Sequence, residues 1–240
     1  MEIVIITAIG VGGATIVGAV LGFVFRTAAV RFSSPITSFA AGVMLAAAVS
    51  GLIEPAFASG RGVDILCALG GVFAGSASLY LTERYIPLGK CDTGGVRSAI
   101  LFAIAIAIHN LPEGIAAGVG FGSDRIDEAL AIAVGIALHN IPEGMIVIAP
   151  MLSAGVSPLR TFLFAAAGGA AEVLGTLLGY FAVSAAEALL PFALSFAGGT
   201  MLYVIASEMI PESQRDGRRR ATFSLIFGFG VMTAISALMA

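Results

Sequence analysis

Eight runs of apolar residues, at about 3–25, 35–58, 63–82, 98–121, 128–150, 159–183, 190–210 and 222–239, restrict what this chain can fold into. Each is long enough to cross a hydrocarbon core of about 30 Å as a helix, which takes roughly 20 residues. In that medium every backbone N–H and C=O must be paired within the protein, and a helix pairs them along its own length. Charged residues are 11% of the 240 and hydrophobic residues 58%, whereas soluble domains carry about 25% charged residues. The chain is therefore expected to be an all-α integral membrane protein of eight transmembrane helices in one polytopic domain, 1–240. Its surroundings are a lipid bilayer, and nothing in it calls for nucleic acid.

Orientation follows from the basic residues, because cytoplasmic loops retain Lys and Arg. Arg26 and Arg31 lie between helices 1 and 2, and Arg84, Lys90 and Arg97 between 3 and 4. Arg160 opens helix 6, and Arg215, Arg218, Arg219 and Arg220 lie between 7 and 8. Only Arg61 and Arg125 fall in the opposite loops, a split of ten to two that puts both termini outside. A missed or invented helix would scramble this bias, so it also supports an even number of spans. The cell (plasma or inner) membrane is the expected location. Met1-Glu2 offers no basic n-region and the first run is of spanning length, so helix 1 is expected to be retained. Cys67, within helix 3, is read as a packing residue and Cys91, in an inner loop, as a free thiol; no disulfide between them follows from sequence.

Two of these apolar runs carry the same phrase. It reads His109-Asn110-Leu111-Pro112-Glu113-Gly114 in helix 4 and His139-Asn140-Ile141-Pro142-Glu143-Gly144 in helix 5, and the two copies contain both histidines of the chain. A charged side chain at the bilayer centre costs roughly 2.5 kcal/mol or more, so repeating it implies use. His109 and Glu113 are four residues apart, as are His139 and Glu143, so each pair shares one helix face. Imidazole with carboxylate suits Zn²⁺, and also Fe²⁺, Mn²⁺, Co²⁺ or Cd²⁺; an all-oxygen site would suggest Mg²⁺ or Ca²⁺ instead. Pro112 and Pro142 lack an amide hydrogen, which frees the carbonyls of Ile108 and Leu138 and predicts kinks. Asn110 and Asn140 add neutral oxygens on an adjacent flank. Glu172, after the small residues Gly168-Gly169-Ala170-Ala171 of helix 6, is a further embedded acid able to approach helices 4 and 5.

A second repeat organises the rest. Gly42, Met44, Leu45, Ser50 and Ile53 recur 157 positions later as Gly199, Met201, Leu202, Ser207 and Ile210. The same shift carries Gly12, Gly18 and Gly22 onto Gly169, Gly175 and Gly179. Helix 2 runs outward and helix 7 inward, so the copies have opposite topology: an inverted repeat of helices 1–3 and 6–8 around central metal-binding helices 4 and 5. Secondary transporters recurrently use this design, with the substrate site near the midplane. Met44, Ser50, Glu54, Met201, Ser207 and Glu208 are candidates for lining the transport route. Near helix ends a Glu is as readily solvated at the interface, and Met in a membrane helix more often packs than ligates.

With both copies of His-Asn-x-Pro-Glu-Gly, a helix 6 acid and eight spans with outside termini, the chain resembles the ZIP (Zrt/Irt-like) divalent metal transporters, particularly the GufA-like branch, over essentially its whole length. The resemblance implies a binuclear centre in the middle of the bundle. It assigns His109, Glu113 and Glu143 to one metal with His139 close by, and Asn110, Asn140, Glu143 and Glu172 to the other, with Glu143 bridging. It also implies uptake into the cytoplasm by alternating access, helices 1, 4, 5 and 6 moving past a scaffold of the others. One departure is the inner loop 83–97, which has no histidine where many relatives are His-rich. The metal is cargo, with no cofactor expected and no enzymatic activity. An intramembrane protease would show His-Glu-x-x-His, and here Asn follows each His. A proton-driven transporter of an organic substrate would use His109 and Glu113 as a relay. Gly-rich helix surfaces permit a homodimer.

Overall fold

The computed structural model describes residues 1–27, 32–58, 60, 62–85, 110–122, 126–185, 190–214 and 218–239, and among them all regular structure is helical. The helices are α1 (Glu2–Val24), α2 (Ser33–Phe57), α3 (Gly62–Tyr85), α4 (110–121), α5 (Ile126–Ser153), α6 (Pro158–Ala185), α7 (Leu190–Met209, extended by one turn to Ser213) and α8 (Arg218–Met239). All except α4 are long and apolar enough to cross a membrane, seven candidate spans among the described residues. The first half of the expected fourth span, residues 98–109, lies outside the described residues, and so do His109, Cys91 and most of the 83–97 loop.

Several helices outrun the apolar windows that announce them. α5 starts at Ile126 where 128 was expected, and α8 at Arg218 where 222 was expected. Hydropathy marks the hydrocarbon layer, but helical hydrogen bonding continues into the polar interface. In α5 the first turn carries Asp127 and Glu128, which complement the positive end of the helix dipole. α5 ends in a glycine-dependent cap: Gly155 has φ 86, with its N–H on the Leu152 carbonyl and the Val156 N–H on the Met151 carbonyl. That turn delivers the chain directly into α6.

Among the described residues, the departures from α geometry fall before prolines other than those in the twin hexapeptides. α5 runs through Pro142 as an unbroken helix. Wider π-type turns occupy Ala47–Ile53 of α2 and Ile205–Met209 of α7, ending just before Pro55 and Pro211. Proline removes the N–H that would have bonded the carbonyl four residues earlier, and a wider turn absorbs the mismatch.

Glycines determine which helices touch. α1 crosses α6 where Gly12 and Gly169 meet, each facing the other's carbonyl oxygen with no room for a side chain. α5 lies on α1 with Gly18 against the Ile141 backbone and Gly144 against that of Thr15. α4 lies on α6 in the same manner, with Gly175 against Leu111 and Gly114 against Glu172. The last residue of each hexapeptide is thus the close-contact point that seats its helix. α2 packs on α8 through Gly42 and Gly228, and α3 on α7 through Gly71, Gly75 and Gly199.

The distribution of side chains is the reverse of a soluble protein's. Ile6, Phe73, Leu163, Leu178, Phe223 and Phe227 are exposed on the outside of the bundle, while Asn110, Glu113, His139, Asn140 and Glu172 are buried. An exposed apolar surface of this extent is suited to lipid, and the protein is a multi-pass membrane protein. Cys67, expected as a packing residue, is instead exposed on α3, because the neighbouring position Ala68 takes the inward face. α3 and α8 bury the smallest share of their apolar windows.

Candidate metal centre

Helical spacing brings the hexapeptide side chains inward together. On α5, His139 and Glu143 are one turn apart, and His139 Nε2 lies 2.8 Å from Glu143 Oε2. On α4, Glu113 reaches the same imidazole, its Oε1 3.5 Å from His139 Nε2. One ligand atom from each of the three falls within 4.8 Å of the others, close enough to share one cation.

A second group adjoins it. Glu172 of α6 is fully buried, and its Oε1 accepts a hydrogen bond from Asn110 Nδ2 of α4 at 2.6 Å and another from Thr15 Oγ1 of α1 at 2.8 Å. Asn140 of α5 donates from Nδ2 to the Val11 carbonyl of α1 at 3.2 Å. Gly114, the residue after Glu113, packs against the Glu172 backbone, so the two groups are neighbours in one acidic region.

Apart from the two contacts with His139, no hydrogen-bond partner among the described residues meets the carboxylate oxygens of Glu113 and Glu143, Oδ1 of Asn110 and of Asn140, Oε2 of Glu172 or Nδ1 of His139. A buried polar group left unpaired costs about 1–3 kcal/mol, and a charged one more. Here nearly all the unpaired atoms are acceptors. Among the described residues, Asn110 Nδ2 donates to Glu172 and Asn140 Nδ2 to the Val11 carbonyl, so neither of these bonds serves Glu113 or Glu143, and a cation would satisfy the acceptors left over. Oxygen with one imidazole nitrogen is a borderline donor set, suited to divalent transition metals.

Of the sequence-predicted residues, Glu113, His139 and Glu143 come together, Asn110 joins Glu172, and Asn140 turns its amide to α1. Met201 lines a crevice with Leu79, Pro112, Glu113, Thr200 and Val204, at the edge of the acidic region. Met44 is buried in the same apolar core as Met201. Ser50 is half-buried in the π turn of α2, and Glu54, Ser207 and Glu208 are exposed near helix ends. A crevice beside Ser50 and Glu54 is lined by Gly51, Pro55, Gly120, Glu128, Ala129 and Ile132. Thr15 was not among the predicted residues. The shift of 157 that relates Gly12 to Gly169 also relates Thr15 to Glu172, but nothing in the sequence singles the threonine out.

Residues 89–236 match the family model described as ZIP zinc transporter. The chain is 40% identical over 164 residues to the zinc transporter GufA of Myxococcus xanthus, covering 67% of this chain and 65% of that protein. It is 46% identical over 146 residues to the zinc transporter ZIP11 of Xenopus tropicalis, covering 58% of this chain and 44% of that one. These matches thus span under two thirds of either relative. The zinc transporter ZupT of Corynebacterium efficiens is 34% identical over a match covering 95% of this chain and 93% of ZupT. By the family model and by that near full-length similarity, the chain belongs to the ZIP family of zinc transporters.

Proposed function

We propose that this protein carries divalent transition metals, Zn²⁺ foremost and Fe²⁺, Mn²⁺, Co²⁺ and Cd²⁺ with it, into the cytoplasm across the cell membrane. The observation that carries this reading is the buried concentration of unpaired acceptors around Glu113, His139, Glu143, Asn110, Asn140 and Glu172. The cargo is held by one binuclear site, with His109 completing the half that contains Glu113 and Glu143. The relatives' names, all zinc transporters, agree with a carrier and not an enzyme.

The working architecture is a single domain of eight spans with both termini outside, arranged as an inverted repeat. The glycine contacts support the repeat: Gly18 on Ile141 and Gly144 on Thr15 correspond, by shifts of 157 and 30, to Gly175 on Leu111 and Gly114 on Glu172. The paired π turns before Pro55 and Pro211 agree with it. In this arrangement α1, α4, α5 and α6 form the ligand-bearing unit, and its glycine-lined seams favour their moving as one body during alternating access. Met44, Ser50, Glu54, Met201, Ser207 and Glu208 border the route in and out, and the glycine-rich outer helices allow a homodimer. Inward movement draws on the membrane potential, worth about 2.3 kcal/mol per elementary charge at 100 mV.

The test is uptake of radiolabelled Zn²⁺ into liposomes holding the purified protein, beside His109→Ala and Glu143→Ala. Saturable uptake that both variants lose is expected, with Mn²⁺, Fe²⁺ and Cd²⁺ as competitors ranking the cargo. Uptake no greater than in empty liposomes, from folded protein, refutes the reading.

A further inference from the structure

Thr15 is buried on α1 with a relative exposure of 1%, and its side chain points at the acid of another helix. We propose that Thr15 is a positioning residue for the cation site: its hydroxyl determines which oxygen of Glu172 faces the cargo. It thereby sets the affinity of the half of the site built from Glu172, Asn110 and Asn140. The inference rests on the cation reading above and adds to it a residue on a helix that supplies no ligand side chain.

A carboxylate has two equivalent oxygens, and in an open cavity either could turn to a cation. Here they are made different. Oε1 receives both the Thr15 hydroxyl and the Asn110 amide, from two separate helices, while Oε2 has no partner. Two donors converging on one oxygen fix the rotation of the group and leave Oε2 as the coordinating atom. The same arrangement orients Asn110: a carboxylate only accepts, so the amide gives it Nδ2–H and turns Oδ1 away, and Oδ1 is also unpartnered. Ligands held by a donor of this kind bind metal more tightly, because the ordering is complete before the metal arrives.

The backbone holds Thr15 in place from two sides. Gly12, one turn earlier, abuts Gly169 and brings α1 onto α6 at the height of Glu172. Gly144, the last residue of the α5 hexapeptide, packs on the Thr15 carbonyl. Within the repeat, Thr15 occupies on α1 the position that Glu172 occupies on α6, so the two pseudo-equivalent residues are hydrogen-bonded to each other. A threonine serving only to fill space there could be replaced by valine, its near-isostere, without loss of metal affinity.

The experiment is zinc titration by calorimetry of the full chain in lipid nanodiscs, with Thr15→Val and Thr15→Ser, together with KM and maximal rate for Zn²⁺ uptake in liposomes. Thr15→Val is expected to weaken the affected class of zinc sites by about 10- to 100-fold, the range for loss of a partner that orients a ligand. It should raise KM while leaving the maximal rate and thermal stability near wild type, and Thr15→Ser, which keeps the hydroxyl, should restore binding. Should Thr15→Val not fold, Thr15→Ala carries the same comparison with Thr15→Ser. Wild-type zinc affinity in Thr15→Val, or a Thr15→Ser as weak as Thr15→Val, overturns the role of Thr15 and leaves the cation reading standing. A wild-type protein that binds no zinc overturns the cation reading itself, and the role of Thr15 with it.

Discussion

Replacing Gly114 by alanine separates a packing role from a binding role at the seam between α4 and α6. A methyl built on Gly114 lies 2.8 Å from Glu172 Cα, where ordinary contact begins at 3.4 Å, so the helices must part by at least about 0.6 Å. Metal–ligand distances are held to about 0.2 Å. Glu172 moves with the α6 backbone, and its hydrogen bond from Asn110 crosses the seam being opened, so the side chain cannot compensate without losing that bond. Two effects follow from one methyl group. Overpacking should destabilise the protein by about 1–3 kcal/mol, and displacement of a ligand-bearing helix should weaken zinc binding by about 10- to 100-fold. Gly13, on α1, is the control: nothing lies within 4 Å of a methyl placed there. Gly13→Ala should leave binding unchanged and stabilise its helix by up to about 1 kcal/mol. Thermal unfolding in nanodiscs and calorimetric zinc titration read the two effects separately. Wild-type zinc affinity in Gly114→Ala would show that the site does not depend on this seam, and equal damage from Gly13→Ala would show that the effect is not local.

Glu143→Gln keeps the volume beside His139 but removes a negative charge, and it should lower zinc affinity by more than about tenfold and abolish saturable uptake; uptake at the wild-type rate would remove Glu143 from the site. Protons compete with metal for carboxylate and imidazole lone pairs, so the KM for Zn²⁺ uptake should rise as the pH is lowered from about 7.5 to about 5.5. A flat KM over that range would exclude such competition. A single cysteine at Arg219, in a protein with Cys67 and Cys91 replaced, should react with a membrane-impermeant maleimide only from the cytoplasmic side; labelling of intact cells would reverse the assigned topology.

The spans were legible because one physical demand dominates them: a helix in hydrocarbon must be apolar over about 20 residues. Their ends were less so, since Asp127 and Arg218 continue their helices in the interface, where hydropathy is silent. The prolines show a different limit. Pro112 and Pro142 predict kinks as strongly as Pro55 and Pro211 do, yet among the described residues the π turns lie before the second pair. His139 and Glu143 could be paired from spacing, because residues four apart share a helix face, whereas the approach of Glu113 to them depends on how α4 packs beside α5. Thr15 could not be singled out. A threonine in a membrane helix is ordinary, and its significance appears only when α1 and α6 are seen to cross at Gly12 and Gly169.

That crossing bears on why two matching helix seams hold an asymmetric site. The packing of α5 on α1 repeats that of α4 on α6, so backbone geometry would permit an acid at either Thr15 or Glu172. With threonine at one of them, the cluster holds three carboxyl groups, Glu113, Glu143 and Glu172; metal binding requires the acids ionised and the imidazole neutral. One divalent cation then leaves a single negative charge, and two leave a single positive one. A fourth carboxylate would leave two negative charges with one cation and complete neutrality with two, which favours a full site that releases its cargo slowly. Transport requires binding favourable enough to load and weak enough to leave. A hydroxyl opposite Glu172 retains the hydrogen bond that orients the ligand without adding the charge that would trap the metal.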